Sequence, residues 1–210
     1  MTEGTLPRDQ KLERIVSDAI KVFMTYGIKS ITMDDMARHL GMSKKTIYHY
    51  VVDKADLVMR CVEYDCSEDR RQLEIIVSRK LNAIDENLAI SRYIINQIKA
   101  MHPSIFYDME KYYPDAWKKL RLTRQHFASE VLGNNIRKGM EEGYFREDLN
   151  VEIMTRLWIA RMNVIFDPVM FPMQEFDLAQ VYEQMFVHQI RGLASKKGIK
   201  YLEKYFKPNT

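Results

Sequence analysis

Glycine and proline are scarce in this chain, eight and six of 210 residues, and that scarcity constrains the fold more than any other feature. Both interrupt helices, glycine by its conformational freedom and proline by its missing N–H. A chain that avoids them and repeats apolar residues every three or four positions reads as a set of long helices. In DQKLERIVSDAIKVFMTYG, the residues Leu12, Ile15, Ala19, Val22, Phe23 and Tyr26 recur at that spacing with charges between them, and Gly27 is the stop. The stretch from Lys54 to Leu81 predicts a helix of roughly 40 Å, opened by Asp53 with Asp56 three residues on. Further helices are expected over roughly 86–101, 104–112, 114–142, 151–166 and 178–195, with Pro114 at a first helical position and Asn150 and Asp177 as caps. Gly133 and Gly139 fall inside one of them and mark a kink or a close packing contact. There is no alternating β-rich run and no internal repeat. The expected fold class is all-α, about nine helices. It comprises an N-terminal three-helix unit over residues 1–53 and a larger C-terminal helical bundle over 54–210.

Composition narrows the function. Hydrophobic residues make up 46% of the chain, ample for a core and too many for disorder. The net charge of +3 is too small to mark a nucleic-acid binder, but its distribution says more. Residues 38–50 carry three positive side chains (Arg38, Lys44, Lys45) and no acidic one, and residues 192–210 carry five against one. Cys61 and Cys66 lie five apart on a predicted helix, which turns their side chains away from each other and argues against a disulfide. MTEGTLPRDQ has no apolar signal core, and no apolar run is long enough to span a bilayer, so a cytoplasmic protein with no membrane partner is expected. No HExxH, P-loop, GxSxG or paired-cysteine metal motif occurs, and His39, His49, His102, His126 and His188 are scattered. No catalytic activity, metal or cofactor is expected.

The segment ITMDDMARHLGMSKKTIYHY carries the sharpest signal. Thr32 with Asp35 three residues on resembles a capping box. Met33, Met36, Ala37 and Leu40 form one apolar face, Gly41 ends that helix, and Ser43 caps the next one. Two short helices about a three-residue turn have helix-turn-helix spacing. Met36, Ala37, Leu40, Met42 and Ile47 can hold them together, which leaves Lys44, Lys45, Thr46, Tyr48 and His49 outward. Such side chains can meet phosphate oxygens or base edges in a major groove, and the helix N-terminus adds its own positive end. Lys54 supplies another cation. Two exposed lysines alone would be a solvated face; the conjunction of caps, turn and amphipathic helix favours duplex DNA. With the capping Thr32 and Ser43, the expected DNA-contacting set is Thr32, Ser43, Lys44, Lys45, Thr46, Tyr48, His49 and Lys54.

Residues 15–58 as a whole resemble the DNA-binding region of TetR-family transcriptional regulators, through Ala19, Phe23, Gly27, Thr32, Ala37, Gly41, Ser43, Thr46, Tyr48, Tyr50, Lys54 and Leu57. Val51 stands where many members carry phenylalanine, at a position that should face the core. IRKGMEEGYFREDLNVEI and FVHQIRGL resemble later stretches of the same family. The resemblance implies operator binding as a homodimer, pairing through the last two long helices, and a ligand-responsive C-terminal domain that usually represses transcription. On that basis Leu178, Val181, Tyr182, Met185 and Phe186 are the expected dimer residues, joined by Trp158 and Met162. Trp117, Phe127, Trp158 and Met162 are candidates for a pocket holding an unidentified small apolar or amphipathic effector. The alternative is an architectural or division-associated DNA-binding protein of the same fold without an effector.

Overall fold

The computed structural model describes residues 8–167, 169–172 and 174–205 and is built of helices throughout, as the residue pattern predicts. In order these are α1 (Arg8–Tyr26), α2 (Met33–His39), α3 (Lys44–Tyr48), α4 (Lys54–Ser78), α5 (Ala83–Ala100), α6 (Ile105–Tyr112), α7 (Pro114–Glu141), α8 (Val151–Ile165), α9 (Leu178–Leu193) and α10 (Lys196–Tyr205). The basic segment after residue 195 thus forms a helix of its own; its last residues, 206–210, lie outside the described ones. The chain divides into two compact units, Met1–Asp69 with Ala100–Thr123, and Arg70–Lys99 with Arg124–Thr210. The boundary expected at 53/54 therefore falls inside the first unit.

In the first unit Ile15, Val16, Ala19 and Phe23 of α1, Met36 and Ala37 of α2, Ile47 of α3, and Leu57 and Val58 of α4 are buried and supply the core. Val51 is buried with them, on the inward side that its register requires. The short helices α2 and α3 each begin with a side-chain cap, from Thr32 and Ser43. Asp53 Oδ1 accepts from Asp56 N at 2.8 Å while Asp56 Oδ2 accepts from Val52 N at 2.9 Å, which fixes the start of α4.

Helix α6 belongs to this unit although it lies far along the chain. Asp108 on α6 is 4% exposed. Its Oδ2 accepts from the backbone N–H groups of Ile28 (3.0 Å) and Lys29 (2.9 Å), in the turn after α1, and from Ser104 Oγ (3.0 Å). Three donors on one carboxylate oxygen offset the cost of taking the charge out of water. On its other side the Ile28 carbonyl accepts from Lys54 Nζ at 2.7 Å. One peptide between α1 and α2 is thus held by α6 and by the first residue of α4.

The second unit is built around Ile84 and Leu88 of α5, Ile136 of α7, Trp158 of α8, and Tyr182, Phe186 and Ile190 of α9. Asn82 Oδ1 accepts from Ile84 N and Asp85 N, both at 3.0 Å, so α5 starts about one turn before the expected position near 86. Glu86 is buried but paired: Asn135 Nδ2 donates to its Oε1 at 2.7 Å and Lys138 Nζ to its Oε2 at 2.7 Å. Helix α7 runs through Gly133 and Gly139 without a break. At Gly139 the reason for glycine is close packing, since a methyl group there would overlap the ring of Phe145. The chain after α7 meets the end of α9 through Arg146 N to Leu193 O (2.9 Å) and Ser195 N to Tyr144 O (2.9 Å), which seats α10.

Candidate nucleic-acid interface

The two short helices are built as their sequence demands. Thr32 takes an extended conformation; its Oγ1 accepts from Asp35 N at 3.1 Å, and Asp35 Oδ2 accepts from Thr32 N at 2.9 Å. Both arms of the capping box are therefore made. The Thr32 hydroxyl, which donates to Asp35 Oδ2 at 2.6 Å, and then the Thr32 N–H, with Arg38 beyond them, hold the Asp35 carboxyl below its usual range. After α2, Gly41 sits at φ +63°, a left-handed conformation that side chains resist, and reverses the chain. Ser43 Oγ then accepts from Thr46 N at 3.0 Å and opens α3. Ile47 at 0% exposure anchors α3 to the core.

With Ile47 inward, Ser43, Lys44, Lys45, Tyr48 and His49 are exposed and Thr46 is half-buried. The structure brings these six expected contacts together on one short helix and its caps. Thr32, also exposed, has its hydroxyl and N–H committed to Asp35. Lys54 is set apart from them. It is half-buried, gives one donor to Ile28 O, and lies 5.9 Å from the Tyr113 ring centre; burial lowers its pKa. Lys44 Nζ donates to Asp34 Oδ2 at 2.9 Å, and that hydrogen bond raises the lysine pKa. Asp34 was not singled out from sequence, although an acidic pair in the first turn of α2 was there to see.

The candidate effector residues lie in both units. Trp117 belongs to the first, tilted 5.4 Å from Phe106. In the second unit Phe127 is half-buried beneath Arg70, Trp158 is buried in edge contact with Phe186, and Met162 packs on the same core. The second unit also carries an open groove of about 510 Å³ whose lining includes Arg161, Val164, Phe171, Phe176, Val181 and Met185; none of the four candidates lines it. Of the expected dimer residues, Leu178, Tyr182 and Phe186 are buried in their own bundle, whereas Val181 and Met185 reach the groove. An apolar stripe absent from the expected set, Ile153, Leu157 and Val164, faces outward along α8. No helix among the described residues is long and apolar enough to cross a membrane.

Comparison with known proteins agrees with this geometry. Residues 15–61, which run from the middle of α1 to the first turns of α4, match bacterial regulatory proteins of the tetR family. Over 177 residues, 82% of this chain and 90% of the other, the sequence is 24% identical to the uncharacterized HTH-type transcriptional regulator YvaF of Bacillus subtilis. The fold is similar to that of the regulatory protein TetR from Rhodobacter sphaeroides, with a TM-score of 0.67 at 12% identity over 84% of this chain and 97% of that one. It is also similar to that of the transcriptional regulator FadR from Bacillus subtilis in complex with stearoyl-CoA, with a TM-score of 0.65 at 15% identity over 86% and 98%. A capped helix-turn-helix with a cationic, aromatic outer face, in an all-helical chain, matches the tetR family over residues 15–61 and identifies those residues as a tetR-type DNA-binding region.

Proposed function

We propose that the protein is a repressor that binds a two-fold symmetric operator as a homodimer and is released by a small apolar or amphipathic molecule. The observation that carries the DNA reading is α3, which exposes Lys44, Lys45, Tyr48 and His49 above a fully buried Ile47. In this reading Lys44, Lys45, Thr46, Tyr48 and His49 include the base readers, Ser43 and Thr32 hold the helix ends near phosphate, and Lys54 acts mainly through phosphate while one of its donors fixes the turn at Ile28. Residues 1–53 contribute the DNA-reading surface and residues 54–210 the effector and dimer functions. Selection from random duplex DNA, followed by footprinting, tests it. The expected result is an inverted repeat with half-sites about 34–36 Å apart or a multiple of that. A single asymmetric half-site, or no sequence preference, would overturn it.

Effector release is supported by the FadR structure, in which a related fold holds stearoyl-CoA, and by the apolar interior of the second unit. Acyl-CoAs are therefore the first compounds for a thermal-shift screen, because a ligand that binds only the folded state raises Tm. A true effector must weaken operator binding by the same factor by which operator weakens effector binding. A compound that stabilises the protein but leaves operator affinity unchanged is not the releasing ligand. A wide metabolite library without any stabilising compound would favour the effector-free alternative.

A further inference from the structure

Among the described residues, Asp34 is a carboxylate paired with the reading helix that caps neither α2 nor α3. Asp35, its neighbour, is consumed by the capping box and by Arg38. Asp34 makes no cap, its side chain is 67% exposed, and among the described residues its partner is the ammonium of Lys44, 2.9 Å away. An acidic group so close to a lysine meant for DNA is unfavourable beside a phosphate, because any backbone oxygen that Lys44 reaches comes within several ångströms of a like charge. The same pair suits a G·C base pair, which offers acceptors on guanine and an N4 amino donor on cytosine in the major groove. We propose that Asp34 is a specificity-determining residue: it holds Lys44 off phosphate on non-cognate DNA, and in the operator it accepts from a cytosine N4 while Lys44 donates to guanine.

This rests on the DNA-binding reading above, and the experiment separates the two. Sequence selection and salt titration are run on the wild type, Asp34→Asn and Asp34→Glu, with circular dichroism as a check on folding. Since no bond inside α2 depends on Asp34, all three are expected to fold. For Asp34→Asn the expected result is loss of preference at one C·G pair per half-site, a discrimination of about 5- to 150-fold. Binding to unrelated duplex should tighten, with a salt slope steeper by about one as Lys44 turns to phosphate. A further Lys44→Met change should remove that extra slope, and Asp34→Glu should keep non-specific binding weak. Unchanged base preference together with an unchanged salt slope in Asp34→Asn overturns the proposal and reduces Asp34 to a group that favours the α2 N-terminus. A wild type without sequence preference would instead sink the DNA-reading assignment itself.

Discussion

Thr32 and Asp35 decide at single-residue scale whether α2 starts where the reading surface needs it. Thr32→Ala removes both the acceptor for Asp35 N and the hydroxyl that donates to Asp35. The expected cost is about 1 kcal/mol, the usual value of a helix N-cap, read as a lower urea midpoint. The pH dependence has a definite sign. Asp35 titrates below its ordinary 3.8 in the folded protein because Thr32 donates to it. Its contribution is therefore complete above about pH 3.8 and is lost as pH falls through the lower folded value. The penalty for Thr32→Ala should accordingly be smaller at about pH 2 than at pH 7; equal penalties would mean that the ionised Asp35 gains nothing from Thr32. This cap was legible in the sequence because its partners are three residues apart. Asp34 was not, because its meaning comes from Lys44, ten residues away on the next helix.

Between elements, the decisive contacts join residues that no local pattern links. Asp108 meets Ile28 and Lys29 across about eighty positions, and a lone aspartate on a short helix gives no periodic signal. Position 53/54 looked like a boundary because a capped helix begins there, yet α4 and α6 both grip the turn that follows α1. Asp108→Ala should leave two backbone N–H groups without their acceptor, at about 1–3 kcal/mol for each that water cannot reach. Asp108→Asn, which keeps a carbonyl oxygen, should cost less in the same denaturation experiment. Similar losses for the two variants would mean that the charge and not the acceptor geometry matters. Gly139 is a second case. Sequence placed a glycine in mid-helix and could not choose between a kink and close packing; the Phe145 ring supplies the answer. Gly139→Ala should destabilise by about 1–3 kcal/mol through overpacking, and a second change, Phe145→Leu, should recover part of that loss. A double variant no better than the sum of its single changes would place the strain elsewhere.

For the whole molecule the open question is which apolar residues serve the chain's own core and which await a second copy. Periodicity cannot divide them, because Leu178, Val181, Tyr182, Met185 and Phe186 are the same kinds of residue on the same helix. Burial does: Leu178, Tyr182 and Phe186 are interior, while Ile153, Leu157 and Val164 on α8 stay exposed. A row of large side chains in water on one face is the usual mark of an interaction surface. If that face pairs two chains about a two-fold axis, each substitution appears twice per interface. Leu157→Asp with Val164→Asp should then place four carboxylates in the contact and yield monomers by sedimentation velocity. Helix content should be preserved, since Leu157 and Val164 are 45% and 41% exposed within the chain. Tyr182→Asp is the contrasting change: it buries a carboxylate in the core of the second unit and should unfold that unit instead of dissociating a folded dimer. Operator affinity follows from the same geometry. A monomer holds one half-site and loses the gain of about 10²–10⁴ that linkage of two recognition helices provides. The α8 double variant should therefore keep its preferred half-site sequence while binding the full operator weakly. A folded double variant that remained dimeric, with operator affinity intact, would remove α8 from the interface.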